Sequence, residues 1–168
     1  MLNKWMKVEL LPEQQESIAV LPKFNRFLLC DGTGLGKTLS ALSSFSVLLE
    51  ENPNFHMVVI CTKTGVVSWI NEILSHTNFL HTFYGPDGID CAGDNLGVLI
   101  KEQVSIFGYS TIVKYPSVFK YLYENKKVCL VIDEAHHIKN EDAQITQVVR
   151  YLIQYSEVVW GLTATLLS

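Results

Sequence analysis

Two stretches of this sequence hold side chains whose types and order suit chemistry on a phosphate ester. The first is Asp31-Gly32-Thr33-Gly34-Leu35-Gly36-Lys37-Thr38. Gly32, Gly34 and Gly36 allow the positive φ values at which successive backbone amides, those of Thr33 and Leu35 among them, turn inward as an anion-binding nest. Those amides and the N-terminus of a following helix would hold phosphate oxygens. The Lys37 ammonium would reach the β- and γ-phosphates, and the Thr38 hydroxyl would ligate Mg²⁺. The strict pattern opens with glycine, where this chain has Asp31. The second stretch is Asp133-Glu134-Ala135-His136, which follows the apolar run Val128 to Ile132 directly. In a nucleoside triphosphatase, an acid at a strand's end holds Mg²⁺ and the next carboxylate polarises the attacking water. On an extended backbone two adjacent acids point in different directions, so they can take two roles. Each stretch alone has a plainer account. One is a glycine-rich turn in another α/β fold; the other is an acidic helix start. Together they point to an ATP and Mg²⁺ site with Lys37, Asp133 and Glu134 as its catalytic groups.

The phosphate-loop reading requires a strand before the glycines and a helix after them. Phe24 to Cys30 predicts the strand. Leu39, Leu42, Phe45, Leu48 and Leu49 recur at helical spacing over Lys37 to Glu51, and Asn52-Pro53-Asn54 stops that helix. Further strands are expected at Met57 to Cys61, Phe79 to Tyr84, Val104 to Gly108, Val128 to Ile132 and Val158 to Leu162. Helices are expected at Glu13 to Leu21, Gly65 to Ser75 and Asp142 to Tyr155, and a flexible Gly- and Asp-rich loop at Gly85 to Asn95. Lys114 to Lys127 holds four lysines and three tyrosines, and a half-exposed helix with solvated lysines accounts for it better than a DNA patch. Strands apolar on both faces, alternating with helices, imply an α/β fold whose mostly parallel sheet is covered on both sides. No repeat or linker divides the chain, so residues 1–168 are expected to form one domain.

At 168 residues, 48% hydrophobic and 18% charged, the chain can bury a sizeable core, which excludes a disordered or low-complexity class. Its charge of 13 − 17 = −4 argues against coating nucleic acid by bulk charge, though a local basic groove stays open. No apolar run approaches the ~20 residues of a membrane helix. Met1 to Lys7 lacks a secretory h-region. Cys30, Cys61, Cys91 and Cys129 form no CxxC pair and read as reduced thiols, so an intracellular, cytoplasmic setting with no membrane partner is expected. The histidines show no metal-ligand spacing.

In sequence order these elements resemble the first motor lobe of superfamily-two helicases and translocases, and within it the Swi/Snf-like family of DNA translocases. Leu10-Leu11-Pro12-Glu13-Gln14 is similar to the family's Leu-x-Pro-Tyr-Gln element, with Glu13 replacing the aromatic residue. Cys61-Thr62-Lys63, then Trp69-Ile70-Asn71-Glu72, resembles motif Ia, with Thr62 or Lys63 where the family has proline. Ile106-Phe107-Gly108-Tyr109-Ser110-Thr111 resembles motif Ib. Asp133-Glu134-Ala135-His136-His137-Ile138-Lys139-Asn140 is similar to Asp-Glu-Ala-His-x-x-Lys-Asn, the most subfamily-specific signature in the chain. Leu162-Thr163-Ala164-Thr165 resembles motif III, with Leu166 where proline is usual.

The resemblance implies a RecA-like P-loop NTPase lobe. Gln14 would read adenine, since an amide can both donate and accept. His136, Thr163 and Thr165 would couple the nucleotide site to nucleic acid. Thr62, Lys63, Tyr109 and Ser110 would lie on one rim and hold the phosphates of double-stranded DNA. The family's second RecA-like lobe supplies arginines to the transition state, and no such motif occurs before Ser168. That lobe would come from the same parent chain or another, and this chain alone would hydrolyse ATP barely or not at all. Two other functions remain open: an RNA helicase lobe of the DEAD/DEAH kind, and a non-catalytic nucleotide-gated interaction module. A P-loop kinase needs lid arginines, and the chain has only Arg26 and Arg150.

Overall fold

The computed structural model describes residues 4–30, 36–89, 101–136 and 143–164. In chain order the elements are α1 (Pro12–Val20), β1 (Arg26–Cys30), α2 (Lys37–Glu51), β2 (Phe55–Cys61), α3 (Lys63–His76), β3 (His81–Gly85), β4 (Gly88–Ile89), β5 (Val104–Gly108), α4 (Pro116–Asn125), β6 (Lys127–Asp133), α5 (Ala143–Tyr155) and β7 (Val158–Thr163). The sheet order is β1-β7-β6-β2-β5-β3-β4. Every pairing is parallel except β3 with the short β4. The expected loop at Gly85 to Asn95 therefore begins as a tight hairpin, and its residues 90–95 lie outside the described set.

The sheet has a core on each face because successive strand residues point to opposite sides. On β2, Met57, Val59 and Cys61 join the core that holds Phe45 of α2 and Trp69 and Ile73 of α3. Val58 and Ile60, the residues between, join Phe119 and Leu122 of α4 and Val149 and Leu152 of α5. This is why the strand sequences are apolar without alternation. Each large side chain so buried contributes about 1.5–3 kcal/mol.

The helix that carries Lys37 is fixed by burial. α2 hides Ala41, Leu42, Phe45, Leu48 and Leu49. It ends where Asn52, in extended backbone, returns its N–H to Leu48 O at 2.8 Å. α3 starts two residues before its expected Gly65, because the Thr62 hydroxyl accepts the Gly65 N–H at 3.2 Å and caps the first turn. α4 buries Val118, Phe119 and Leu122. Of the segment's four lysines, Lys120 is exposed on the helix, Lys114 and Lys127 are exposed in the turn before it and at the start of β6, and Lys126 is half-buried. Among the described residues no helix is long and apolar enough to cross a membrane.

Candidate nucleotide site and its coupling residues

Parallel strands deliver their carboxyl ends to one edge of the sheet. Cys30 lies opposite Thr163, Asp133 opposite Leu162, and Cys61 opposite Gly108. The end of β1, the start of α2, the acids after β6 and the ends of β2, β5 and β7 thus lie at this edge, where open α/β sheets bind ligands.

Gly36 is the described end of the expected phosphate loop; Asp31, Gly32, Thr33, Gly34 and Leu35 lie outside the described residues. Gly36 has φ +71°, in the left-handed region, and directly precedes Lys37 at the start of α2. A Cβ there would lie 2.5 Å from Gln14 Nε2. The left-handed conformation favours glycine, and a methyl there would also displace the end of the Gln14 side chain. Gln14 is buried, and its Oε1 accepts the Leu11 N–H at 3.0 Å, one half of a capping box for α1. This bond turns the other end of the amide toward Gly36.

Lys37, at the start of α2, and Asp133, at the end of β6, stand at the same sheet edge, and the Lys37 charge, the smallest of the influences on Asp133, favours its ionised form. Asp133 Oδ2 accepts from Trp69 Nε1 at 2.9 Å, and the Asp133 carbonyl accepts from the Tyr109 hydroxyl at 2.8 Å. Burial is the largest influence on Asp133 and pushes its carboxyl above the usual range; the Trp69 bond opposes this, and the neighbouring Glu134 adds to it. A half-buried carboxylate of this kind, with a lysine nearby and the Thr38 hydroxyl on the first turn of α2, offers the hard oxygen donors that suit Mg²⁺. Cys61, at the end of β2, has its thiol pushed up to about 12 by burial and then by Asp133, so it is no nucleophile.

The two acids are separated by a mechanism other than strand alternation. Glu134 has φ +54°, and it is the one non-glycine residue with positive φ among those described. The chain turns left-handed at Glu134, which sends its side chain to His136: Nδ1 lies 3.2 Å from Glu134 Oε2, each side chain 35% exposed. The same Nδ1 is 3.5 Å from Thr163 Oγ1 at the end of β7. Glu134, His136 and Thr163 form a chain across two neighbouring strands, while Thr165 lies outside the described residues.

The expected nucleic-acid rim divides. Lys63 and Ser110 are exposed, at the ends of the paired strands β2 and β5. Tyr109 is a correction: it is 5% exposed and its hydroxyl is bound to the Asp133 carbonyl, so it faces the interior. The Thr62 hydroxyl likewise serves the α3 cap. Trp69 was missed as a site residue because an aromatic at helical spacing reads as core. The available signal was its N–H, since a buried indole usually finds an acceptor.

The profile of the SNF2-related domain matches residues 8–167. A mouse SWI/SNF-related matrix-associated actin-dependent regulator of chromatin, subfamily A member 1, is 33% identical over 128 residues, covering 73% of this chain and 12% of that protein. A Sulfolobus solfataricus SWI2/SNF2 ATPase core domain superposes with a TM-score of 0.74 at 25% identity, over 96% of this chain and 32% of that one. The S. solfataricus core solved in complex with dsDNA gives 0.76 at 22% identity, over 98% of this chain and 34% of that one. This chain thus spans about an eighth of its curated relative, and a match across nearly all its residues shows that it belongs to the SNF2-related domain family.

Proposed function

We propose that this chain is a RecA-like lobe that binds ATP with Mg²⁺ and, completed by a second lobe, couples hydrolysis to movement along double-stranded DNA. The observation that carries the reading is that Lys37, opening α2, and Asp133, closing β6, stand at one sheet edge, with Glu134, His136 and Thr163 beside Asp133. Lys37 would hold the β- and γ-phosphates, and Gln14 the adenine edge. Asp133 and Thr38 would hold the metal, which when bound neutralises charge on the phosphate oxygens. Glu134 would take the proton of the attacking water, with His136 holding its Oε2 in place and Thr163 passing the state of the site to β7. A transition-state arginine, worth about 10³–10⁵ in rate, is left to the second lobe. Lys63 and Ser110 would hold DNA phosphates without reading sequence. The setting is intracellular, where the buried Cys61 and Cys129 stay reduced.

Equilibrium binding of a fluorescent ATP analogue tests the site. Lys37→Ala is expected to abolish binding while leaving the thermal midpoint within about 2 °C, because Lys37 serves phosphate and not the core. Retained affinity would refute the assignment. In a two-lobed protein, ATPase stimulation by duplex DNA but not RNA is the expected result. Strong DNA-stimulated turnover by this chain alone would show the two-lobe reading to be wrong.

A further inference from the structure

We infer that Trp69 and Tyr109 are positioning residues that hold Asp133 at its side chain and its carbonyl, and so tie the nucleotide site to the rim that carries Lys63 and Ser110. The inference rests on the function proposed above. Among the described residues two side chains from other parts of the fold donate to Asp133, Trp69 Nε1 to Oδ2 at 2.9 Å and the Tyr109 hydroxyl to the carbonyl at 2.8 Å, beside the local backbone bond from Glu134. Both donors are buried, and each belongs to an element that begins or continues at the exposed rim. Trp69 lies on α3, whose first residue is Lys63. Tyr109 directly precedes Ser110 and is itself held by its N–H on Cys61 O at 3.1 Å.

The two bonds do different work. The indole N–H fixes which oxygen of Asp133 remains for a metal, a requirement for any carboxylate ligand. The tyrosine bond acts on the peptide that joins Asp133 to Glu134. The plane of that peptide sets how the chain enters the left-handed turn at Glu134, φ +54°. Such a turn at a non-glycine residue persists only where its surroundings over-determine it. Holding the carbonyl therefore aims the Glu134 side chain toward His136. A phosphate that draws on Lys63 or Ser110 would move α3 or the turn after β5, and both carboxylates would feel it.

The test uses the full chain, a fluorescent ATP analogue in Mg²⁺ or in EDTA, and a 20-base-pair duplex. Trp69→Phe keeps the ring and removes the N–H. It is expected to weaken nucleotide binding in Mg²⁺ about tenfold, the lower range for groups that orient metal ligands, and to leave binding in EDTA unchanged. In an Asp133→Asn background, Trp69→Phe should cost nothing further. Tyr109→Phe removes one oxygen and reports even if Trp69→Phe unfolds. The duplex should tighten Mg²⁺-nucleotide binding in the parent chain, and this ratio should fall toward one in Tyr109→Phe. Equal losses in Mg²⁺ and EDTA, a full loss persisting beside Asp133→Asn, or an unchanged duplex ratio in the variants would overturn the inference. A parent chain whose affinity ignores the duplex would overturn the link to the rim. Nucleotide binding by the parent chain with no change in either variant defeats this inference alone. Absence of nucleotide binding in the parent chain defeats the proposed function as well.

Discussion

Backbone conformation at two residues governs the site. Glu134 accepts a left-handed φ of +54° that costs a side-chain-bearing residue about 1–2 kcal/mol, and in return the two acids leave β6 toward different partners. Gly36 has the same kind of conformation at φ +71°, without the cost. Gly36→Ala should destabilise the chain by about 1–2 kcal/mol from conformation alone, and more because the new methyl meets Gln14 Nε2. Measured against Gln14→Ala, which by itself loses the bond from the Leu11 N–H, Gly36→Ala should cost only the conformational part. Urea unfolding of the parent, the single and the double variants checks both statements, and an unchanged midpoint for Gly36→Ala would refute them.

At the scale of elements, α3 links the rim to the interior. Its start depends on the Thr62 hydroxyl, which accepts the Gly65 N–H at 3.2 Å and also lies 3.2 Å from the Thr64 hydroxyl. Thr62→Ala should lower stability by about 1 kcal/mol, the usual worth of an N-cap. In chemical denaturation, Thr62→Ser should restore most of it. If Thr62→Ala instead left stability intact and weakened DNA binding, the hydroxyl would be a phosphate contact after all. The element pattern was largely legible beforehand. Val104–Gly108 and Lys37–Glu51 have the expected bounds, since an apolar run ending in glycine and a helix stopped by Asn52-Pro53 are local signals. The early start of α3 and the hairpin of β4 depend on a side-chain cap and a pairing partner, which composition does not display.

The whole molecule has a second polar cluster, on the α4 face near the amino ends of the strands. His56 Nε2 meets Ser105 Oγ at 2.8 Å. The same hydroxyl lies 2.9 Å from Glu102 Oε1, and Glu102 also accepts from Thr82 and from Tyr84 at 3.1 Å. Burial, and then Lys126, hold the His56 pKa down from 6.5 to about 3. Between those values the unfolded chain binds a proton that the native state refuses, so stability is present above 6.5 and is lost as pH falls. The loss approaches about 1.4 kcal/mol per pH unit. Glu102 works the other way, because burial raises its pKa and the native state takes up its proton first. His56→Asn should therefore lose less stability than the parent between about pH 6.5 and 5 in urea titrations. Parallel curves would mean that His56 is protonated in the fold.

Sequence by itself determined the order of strands and helices, the helix that opens at Lys37 after the glycine-rich run, the acids after β6 and the family to which they belong, because each of these is written in neighbouring residues. Tertiary structure alone decided that Lys37 and Asp133 stand at one sheet edge, that Trp69 and Tyr109 spend their polar atoms on that acid, and that Tyr109 and Thr62 leave the rim to Lys63 and Ser110. The reason is physical. A buried donor takes whichever acceptor the sheet brings within hydrogen-bond reach, and that acceptor lies on a strand far away in the chain.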